Sequence, residues 1–214
     1  MKALGMIEVY SFTAALCVAD VAAKAAEVRI IAFDRNRPIS PDVPAPLVMV
    51  VKMEGSVDAV KAAVDAGVAY AKSEGKFIVS HIIPNPGQDV DKMAYRMDIN
   101  KDKYNKKLPK SFLNAYPEEM QQSSSIGILE VQGLVASIEG LDAMLKAAEV
   151  RLLHSEKRLG GRLVTIIVLG SVSAVTAALK AGKQSASALG KIYGDAVIAS
   201  PHPELTKFFD LEIN

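Results

Sequence analysis

The sequence predicts an α+β chain built from two tandem βαββαβ units, and three observations carry that prediction. The first is internal repetition. Shifted by 122 positions, residues 3–31 fall on 125–153 with 11 of 29 identical, among them Gly5 on Gly127, Glu8 on Glu130 and Asp20 on Asp142. Lys24-Ala25-Ala26-Glu27-Val28-Arg29 falls on Lys146-Ala147-Ala148-Glu149-Val150-Arg151. Shifted by 115, Gly55 to Gly67 falls on Gly170 to Gly182 with 9 of 13 identical. The second is hydrophobic periodicity, which alternates between strand-like and helix-like in the same order in both copies. The third is composition: 214 residues, 50% apolar and 23% charged, describe a globular chain of one or two domains and exclude disorder and collagen-like repeats.

Each element has a local reason. Leu4–Val9 is a short apolar run that reads as a strand. Phe12–Ala26 is alanine-rich and helical, with Phe12, Ala15, Leu16, Ala19 and Ala23 at three-to-four spacing. Val28–Phe33 is β-branched, and Leu47–Met53 is a Val/Met strand. Ser56 can cap a helix running to about Glu74, and Phe77–Ile83 is a strand that Pro84 and Pro86 terminate. The second copy repeats this as Ile126–Val131, Leu134–Ala148, Val150–His154, Leu163–Leu169, Ser171–Leu189 and Ile192–Ile198. Such an order suits an antiparallel or mixed four-stranded sheet with two helices on one face, a ferredoxin-like arrangement. The shift falls from 122 to 115 because the first copy has 7 more residues between Ile31 and Gly55, and they sit in one loop. The expected boundaries are 1–87 for the first copy, 88–122 for a linker and 123–214 for the second.

Runs such as Ala22-Ala23-Lys24-Ala25-Ala26 and Ala174-Val175-Thr176-Ala177-Ala178 make thin helices that can lie close to a sheet or let subunits approach. The sequence leaves both readings open. The linker is polar, with Lys101-Asp102-Lys103-Tyr104-Asn105-Lys106-Lys107 at its centre, and reads as a solvated connector holding a helical turn or two. Tyr95, Tyr104, Phe112 and Tyr116 suggest that parts of it dock on a surface.

Several function classes are excluded or weakened. A formal net charge of +1 and 6% aromatics without tryptophan leave neither a field nor stacking platforms for nucleic acid. No apolar run reaches the roughly 18 residues of a membrane span, and Met1-Lys2-Ala3-Leu4-Gly5 leads straight into a strand, so neither membrane insertion nor export is expected. Cys17 is the single cysteine; it forms no internal disulfide or two-thiolate metal site, and a reducing cytosol fits it. His81, His154 and His202 have no metal-ligand spacing, and no nucleophile elbow, phosphate loop or dinucleotide fingerprint occurs. No catalytic residue, metal or cofactor is therefore assigned. Glu8 and Glu130, at equivalent places after apolar strands, read as structural or interface groups, since an enzyme seldom needs one acid twice.

Both copies resemble the bacterial microcompartment shell proteins. Ala3-Leu4-Gly5-Met6-Ile7-Glu8 and Ser125-Ile126-Gly127-Ile128-Leu129-Glu130 are similar to the family's first strand. Asp142 to Ala148 is similar to its first-helix motif, with Asp20 to Ala26 a weaker version. Gly55-Ser56-Val57 and Gly170-Ser171-Val172 stand where the family commonly has glycine, aspartate, valine. The resemblance implies a tandem-domain shell protein in which three chains form a ring of six domains, a pseudohexamer with a central pore, tiling the shell inside the cytoplasm. The implied partners are a homotrimer, other shell proteins, encapsulated enzymes and small metabolites at the pore, with no nucleic acid and no membrane.

The resemblance also implies site residues. The loop between the second and third strands would line the pore: Arg35, Asn36, Arg37, Pro38 and Ser40 in the first copy, and Lys157, Arg158, Leu159, Gly160, Gly161 and Arg162 in the second. Glycine there lets backbone amides approach the axis and offer donors to anionic or carbonyl-bearing solutes. The first copy's loop, Asp34 to Pro46, has four prolines and no glycine. It is expected to be stiff, either narrowing the opening or packing on one face away from it. Lys24 and Lys146 match the family's tile-edge lysine. Where the family has arginine between two prolines, this chain has Pro84-Asn85-Pro86 and Pro201-His202-Pro203, so Asn85 and His202 are the implied edge positions. Cys17 lies in a helix and not in a pore loop, which disfavours an axial iron–sulfur cluster. The alternative reading is a ferredoxin-like small-molecule-binding regulatory protein whose proline-rich loop holds an anionic metabolite.

Overall fold

A computed structural model describes residues 2–36, 38, 42–87, 90, 94, 125–156 and 162–209. The chain divides into two units, Met1–Lys106 and Lys107–Asn214. In the first, β1 (Ala3–Tyr10), α1 (Phe12–Ala25), β2 (Arg29–Asn36), β3 (Val48–Gly55), α2 (Val57–Ser73) and β4 (Phe77–Ile83) follow one another. In the second they are β5 (Ser125–Gln132), α3 (Leu134–Ala147), β6 (Arg151–Glu156), β7 (Leu163–Gly170), α4 (Val172–Ser187) and β8 (Ile192–Ile198). A short helix α5 (Pro203–Thr206) and a 3-10 turn (Lys207–Phe209) end the described chain.

The sheets are wholly antiparallel, in the order β2-β3-β1-β4 and β6-β7-β5-β8. This settles the choice between antiparallel and mixed. Register irregularities recur at matching places: between Glu8 and Val9 and between Glu130 and Val131, then between Ile30 and Ala32 and between Leu152 and His154. Glu8 and Glu130 therefore lie inside β1 and β5 and do not follow them. Both paired apolar runs continue one residue past the acid before the chain turns.

The helices cover one face of each sheet. A Cβ on Gly127 of β5 would stand 2.5 Å from Val175 Cγ1 of α4, and one on Gly5 of β1 would stand 2.7 Å from Val60 Cγ1 of α2. Glycine is thus required where each second helix crosses its central strand. The cores hold Leu4, Ile7, Leu16, Ile30, Phe33, Met49 and Met53 in one unit and Leu129, Met144, Val168, Val175 and Leu179 in the other. Each such side chain contributes about 1.5–3 kcal/mol on burial. Phe12 meets Phe33 edge to face at 6.0 Å.

α1 differs from the one-sided helix its spacing predicts. Thr13, Ala14, Cys17, Val18, Asp20 and Ala22 are buried along with the predicted face. α3 keeps the one-sided form, burying Ala136, Ser137, Gly140 and Met144.

On the sheet face away from the helices, chain following the last strand packs back. Val90 and Ala94 join Leu4, Met6, Ala32 and Ile83 in the first unit. Val90 and Ala94, within the predicted connector, are therefore docked on the sheet; Tyr95, Tyr104, Phe112 and Tyr116 lie outside the described residues. In the second unit Leu205 and Phe209 are buried, and the Phe209 ring lies 5.7 Å from that of His154.

Candidate functional site

The β2–β3 connection begins later than the sequence suggests. Arg35 pairs with Met49 and Asn36 with Val48, so both extend the ladder instead of opening the loop. Their polarity reads as loop, but pairing with an apolar partner strand overrides it. Both are exposed, and the Asp34 carboxylate accepts from the Arg35 amide at 2.8 Å. Pro38 is half-buried. The loop's far end turns inward: Ala45 and Leu47 are fully buried, and the Leu47 carbonyl accepts from the Ser11 amide ahead of α1. Ser11 has φ 78°, and its hydroxyl caps α1 by accepting from the Ala14 amide.

In the second unit Arg162 takes the place of Leu47. It is exposed, has φ 61°, and its carbonyl accepts from the Gly133 amide at 2.8 Å. Gly133, the counterpart of Ser11, has φ 102° and no side-chain cap to offer. Arg37, Ser40, Lys157, Arg158, Leu159, Gly160 and Gly161 lie outside the described residues. Among the implied pore residues, the structure thus places Arg35, Asn36, Pro38 and Arg162.

The edge residues are more completely described. Lys24 Nζ pairs with Asp20 Oδ2 at 2.7 Å, and Lys146 Nζ with Asp142 Oδ2 at 2.6 Å, one helical turn back in each case. The hydrogen bond to Asp142 holds the Lys146 ammonium above its ordinary range. Asp20 is buried whereas Asp142 is exposed, so the first pair fixes its lysine more firmly.

The pairing of Asn85 with His202 needs correction. Ile83 and Ile198 end β4 and β8 at equivalent register, opposite Leu4 and Ile126. Asn85, two residues beyond Ile83, therefore corresponds to Ser200, which is exposed with φ 48°. His202 lies two residues further on, and its Nδ1 accepts from the Glu204 amide as the cap of α5. The repeated proline spelling had concealed an offset that the strand ends reveal.

One polar cluster was not anticipated. Lys52, nearly buried in the middle of β3, points to the face away from the helices, where its ammonium meets Asp34 Oδ2 at 3.3 Å and the Ala94 carbonyl at 3.4 Å. Its only signal in the sequence was a lone charge interrupting a Val/Met strand. Nearby, Arg29 Nε and Nη2 donate to Glu54 Oε1 at 2.8 and 2.5 Å. The matching strand pair in the second unit is Arg151 opposite Leu169, where burial lowers the Arg151 guanidinium.

Cys17 is buried in α1, where desolvation pushes its thiol up to about 11 despite a hydrogen bond with Tyr70. Among the described residues no group of three or more His, Cys, Asp or Glu could hold a metal ion, and no helix is long and apolar enough to cross a membrane. Two units of one architecture, each with helices on one sheet face and its loops and strand ends at the rim, define a duplicated structural module.

Comparison with known proteins identifies the module. A model of the BMC domain matches residues 3–86 and again 125–201. The carboxysome assembly protein CcmO of Synechococcus elongatus is 30% identical over 203 residues, covering 95% of this chain and 67% of that protein. The bacterial microcompartment shell protein PduA of Salmonella typhimurium is 44% identical over 86 residues, covering 40% of this chain and 90% of that protein. A crystal structure of a microcompartment protein from Desulfitobacterium hafniense matches with 24% identity over 97% of this chain and 99% of that one, at a TM-score of 0.37. The chain belongs to the BMC domain family, with two domains in tandem. It is a shell protein of a bacterial microcompartment, and its place is in the shell within the bacterial cytoplasm.

Proposed function

We propose that this chain is a structural tile: three copies close into a ring of six domains, a pseudohexamer, that packs with other shell proteins and leaves a central opening for small metabolites. The observation that carries this reading is the presence of two complete BMC domains in one chain, which makes three chains equal to six modules. Shell domains at 1–87 and 123–214, joined by 88–122, are the proposed building blocks.

The opening would be lined by the β2–β3 loop with Arg35, Asn36, Arg37, Pro38 and Ser40, alternating with the β6–β7 loop with Lys157, Arg158, Leu159, Gly160, Gly161 and Arg162. Their cationic side chains favour anionic or carbonyl-bearing solutes. Lys24 and Lys146, together with the turns at Asn85 and Ser200, would form the tile's outer contacts. The role is non-enzymatic, with encapsulated enzymes as neighbours on one side.

Native mass spectrometry tests the ring. A mass three times 22.8 kDa, with two-dimensional sheets visible by electron microscopy at high concentration, is expected. A monomer or dimer that binds one anionic metabolite tightly and stoichiometrically would replace this reading with that of a regulatory protein.

A further inference from the structure

We propose that the strap Pro203–Phe209, made of α5 and the 3-10 turn, is fastened to the second sheet by a proton: charged His154 ties it down, and above histidine's titration range the fastening weakens. Leu205 and Phe209 are buried, and the Phe209 ring is tilted by 44° against the His154 ring with centroids 5.7 Å apart. The same imidazole has its Nε2 4.0 Å from Glu156 Oε2, whose side chain is 4% exposed against 29% for the histidine. A carboxylate and an aromatic ring both attract a cation and do little for a neutral imidazole, so protonation adds two attractions to a packing contact.

The first unit has the same fastening in permanent form. Ala32 pairs with Lys52 across β2 and β3, and at the matching place His154 pairs with Ile167 across β6 and β7, so the cation has moved to the other strand of the pair. In each unit it meets the acid two residues further along the edge strand, Asp34 or Glu156. In each it also meets the chain that follows the last strand, at the Ala94 carbonyl or the Phe209 ring. Lysine stays charged across the physiological range, whereas histidine changes charge within it. Strand register places Arg151 and Glu156 of β6 and Glu130 of β5 on the face that carries His154, beside Thr165, Ile167 and Leu169 of β7 and Gly194 and Ala196 of β8. Two buried acids thus outweigh one guanidinium among the described residues, and the strap adds only Glu204 and Lys207, which pair with each other, and His202. The fastening is therefore complete below histidine's range and lost as pH rises through it. His202 acts in the opposite sense, because its Nδ1 must stay unprotonated to accept from the Glu204 amide.

Hydrogen exchange on the full-length chain reads the strap through the Leu205 and Thr206 amides, which both donate to the His202 carbonyl. The background is His202→Asn, whose side chain caps a helix without titrating, and rates are corrected for the intrinsic effect of pH on exchange. Protection of the two amides should rise about fivefold between pH 8 and pH 5.5. Adding His154→Gln should abolish that rise. Adding His154→Lys should instead keep protection high at both pH values, reproducing in the second unit the permanent cation that Lys52 supplies in the first. Protection that stays flat or falls on acidification in His202→Asn, a rise that survives His154→Gln, or no gain at pH 8 from His154→Lys overturns the proposal.

Discussion

Gly127→Ala should destabilise the second unit although it adds one methyl group. The new Cβ would lie 2.5 Å from Val175 Cγ1, against an ordinary carbon–carbon contact of about 3.5–4.0 Å, so one side must yield by roughly 1.0–1.5 Å. Val175 cannot easily rotate away: it is β-branched, lies in α4 and is fully buried among Ile166, Val168 and Leu179. Leu179, at 3.2 Å, blocks a sideways shift. Overpacking of this kind costs about 1–3 kcal/mol, which lowers the midpoint of a domain of this size by about 4–8 °C per kcal/mol. Val175→Ala alone opens a small cavity and costs a similar amount. In G127A/V175A the methyl fills part of that cavity, so the pair should cost about 1–2 kcal/mol less than the sum of the single changes. Calorimetry gives the totals, and hydrogen exchange over β5 and α4 assigns them to this unit. A neutral Gly127→Ala, or strict additivity in the double variant, would refute the idea that close approach of α4 dictates glycine.

Two further outcomes follow from buried polar groups. The Cys17 thiol, ordinarily near 9.0, is pushed up to about 11 by burial, and the Tyr70 hydroxyl beside it is raised too. The folded state therefore holds the Cys17 proton longer than the unfolded chain does. Its contribution is fully present below pH 9 and is lost as pH rises through about 11, a fall of about 2–3 kcal/mol. Urea midpoints at pH 8 and pH 11 should show this decline in wild type and a smaller one in Cys17→Ala; identical declines would contradict it. Lys52→Met removes the cation that meets Asp34 and the Ala94 carbonyl, so hydrogen exchange should quicken around Ala94 with a loss of about 1–3 kcal/mol, while unchanged exchange would count against this anchor.

What the sequence made legible was whatever is encoded locally. Ser56 and Ser171 mark the starts of α2 and α4 because their hydroxyls accept from the Ala59 and Ala174 amides, a bond that needs only a three-residue span. The turn prolines likewise delimited β4 to the residue. Features set by distant chain were hidden. Asp34-Arg35-Asn36 reads as a polar loop until Val48–Val50 is laid beside it. The partners of Lys52 lie 18 and 42 residues away. Of the candidate site, Lys24 and Lys146 were implied by the family resemblance alone, and their ion pairs with Asp20 and Asp142 emerged with the helices, whereas the Asn85 and Ser200 equivalence required strand register because proline spacing misled.

The paired irregularities in the two sheets carry a consequence of their own. Kinks fall at the same steps in both halves even where the side chains around them have diverged, as at Ile30-Ile31-Ala32 and Leu152-Leu153-His154. Backbone shape and surface character are therefore separable inheritances in this protein. A hybrid chain carrying one half's β2–β3 loop on the other half's sheet should therefore fold, with its surface chemistry rewritten and its strand register kept.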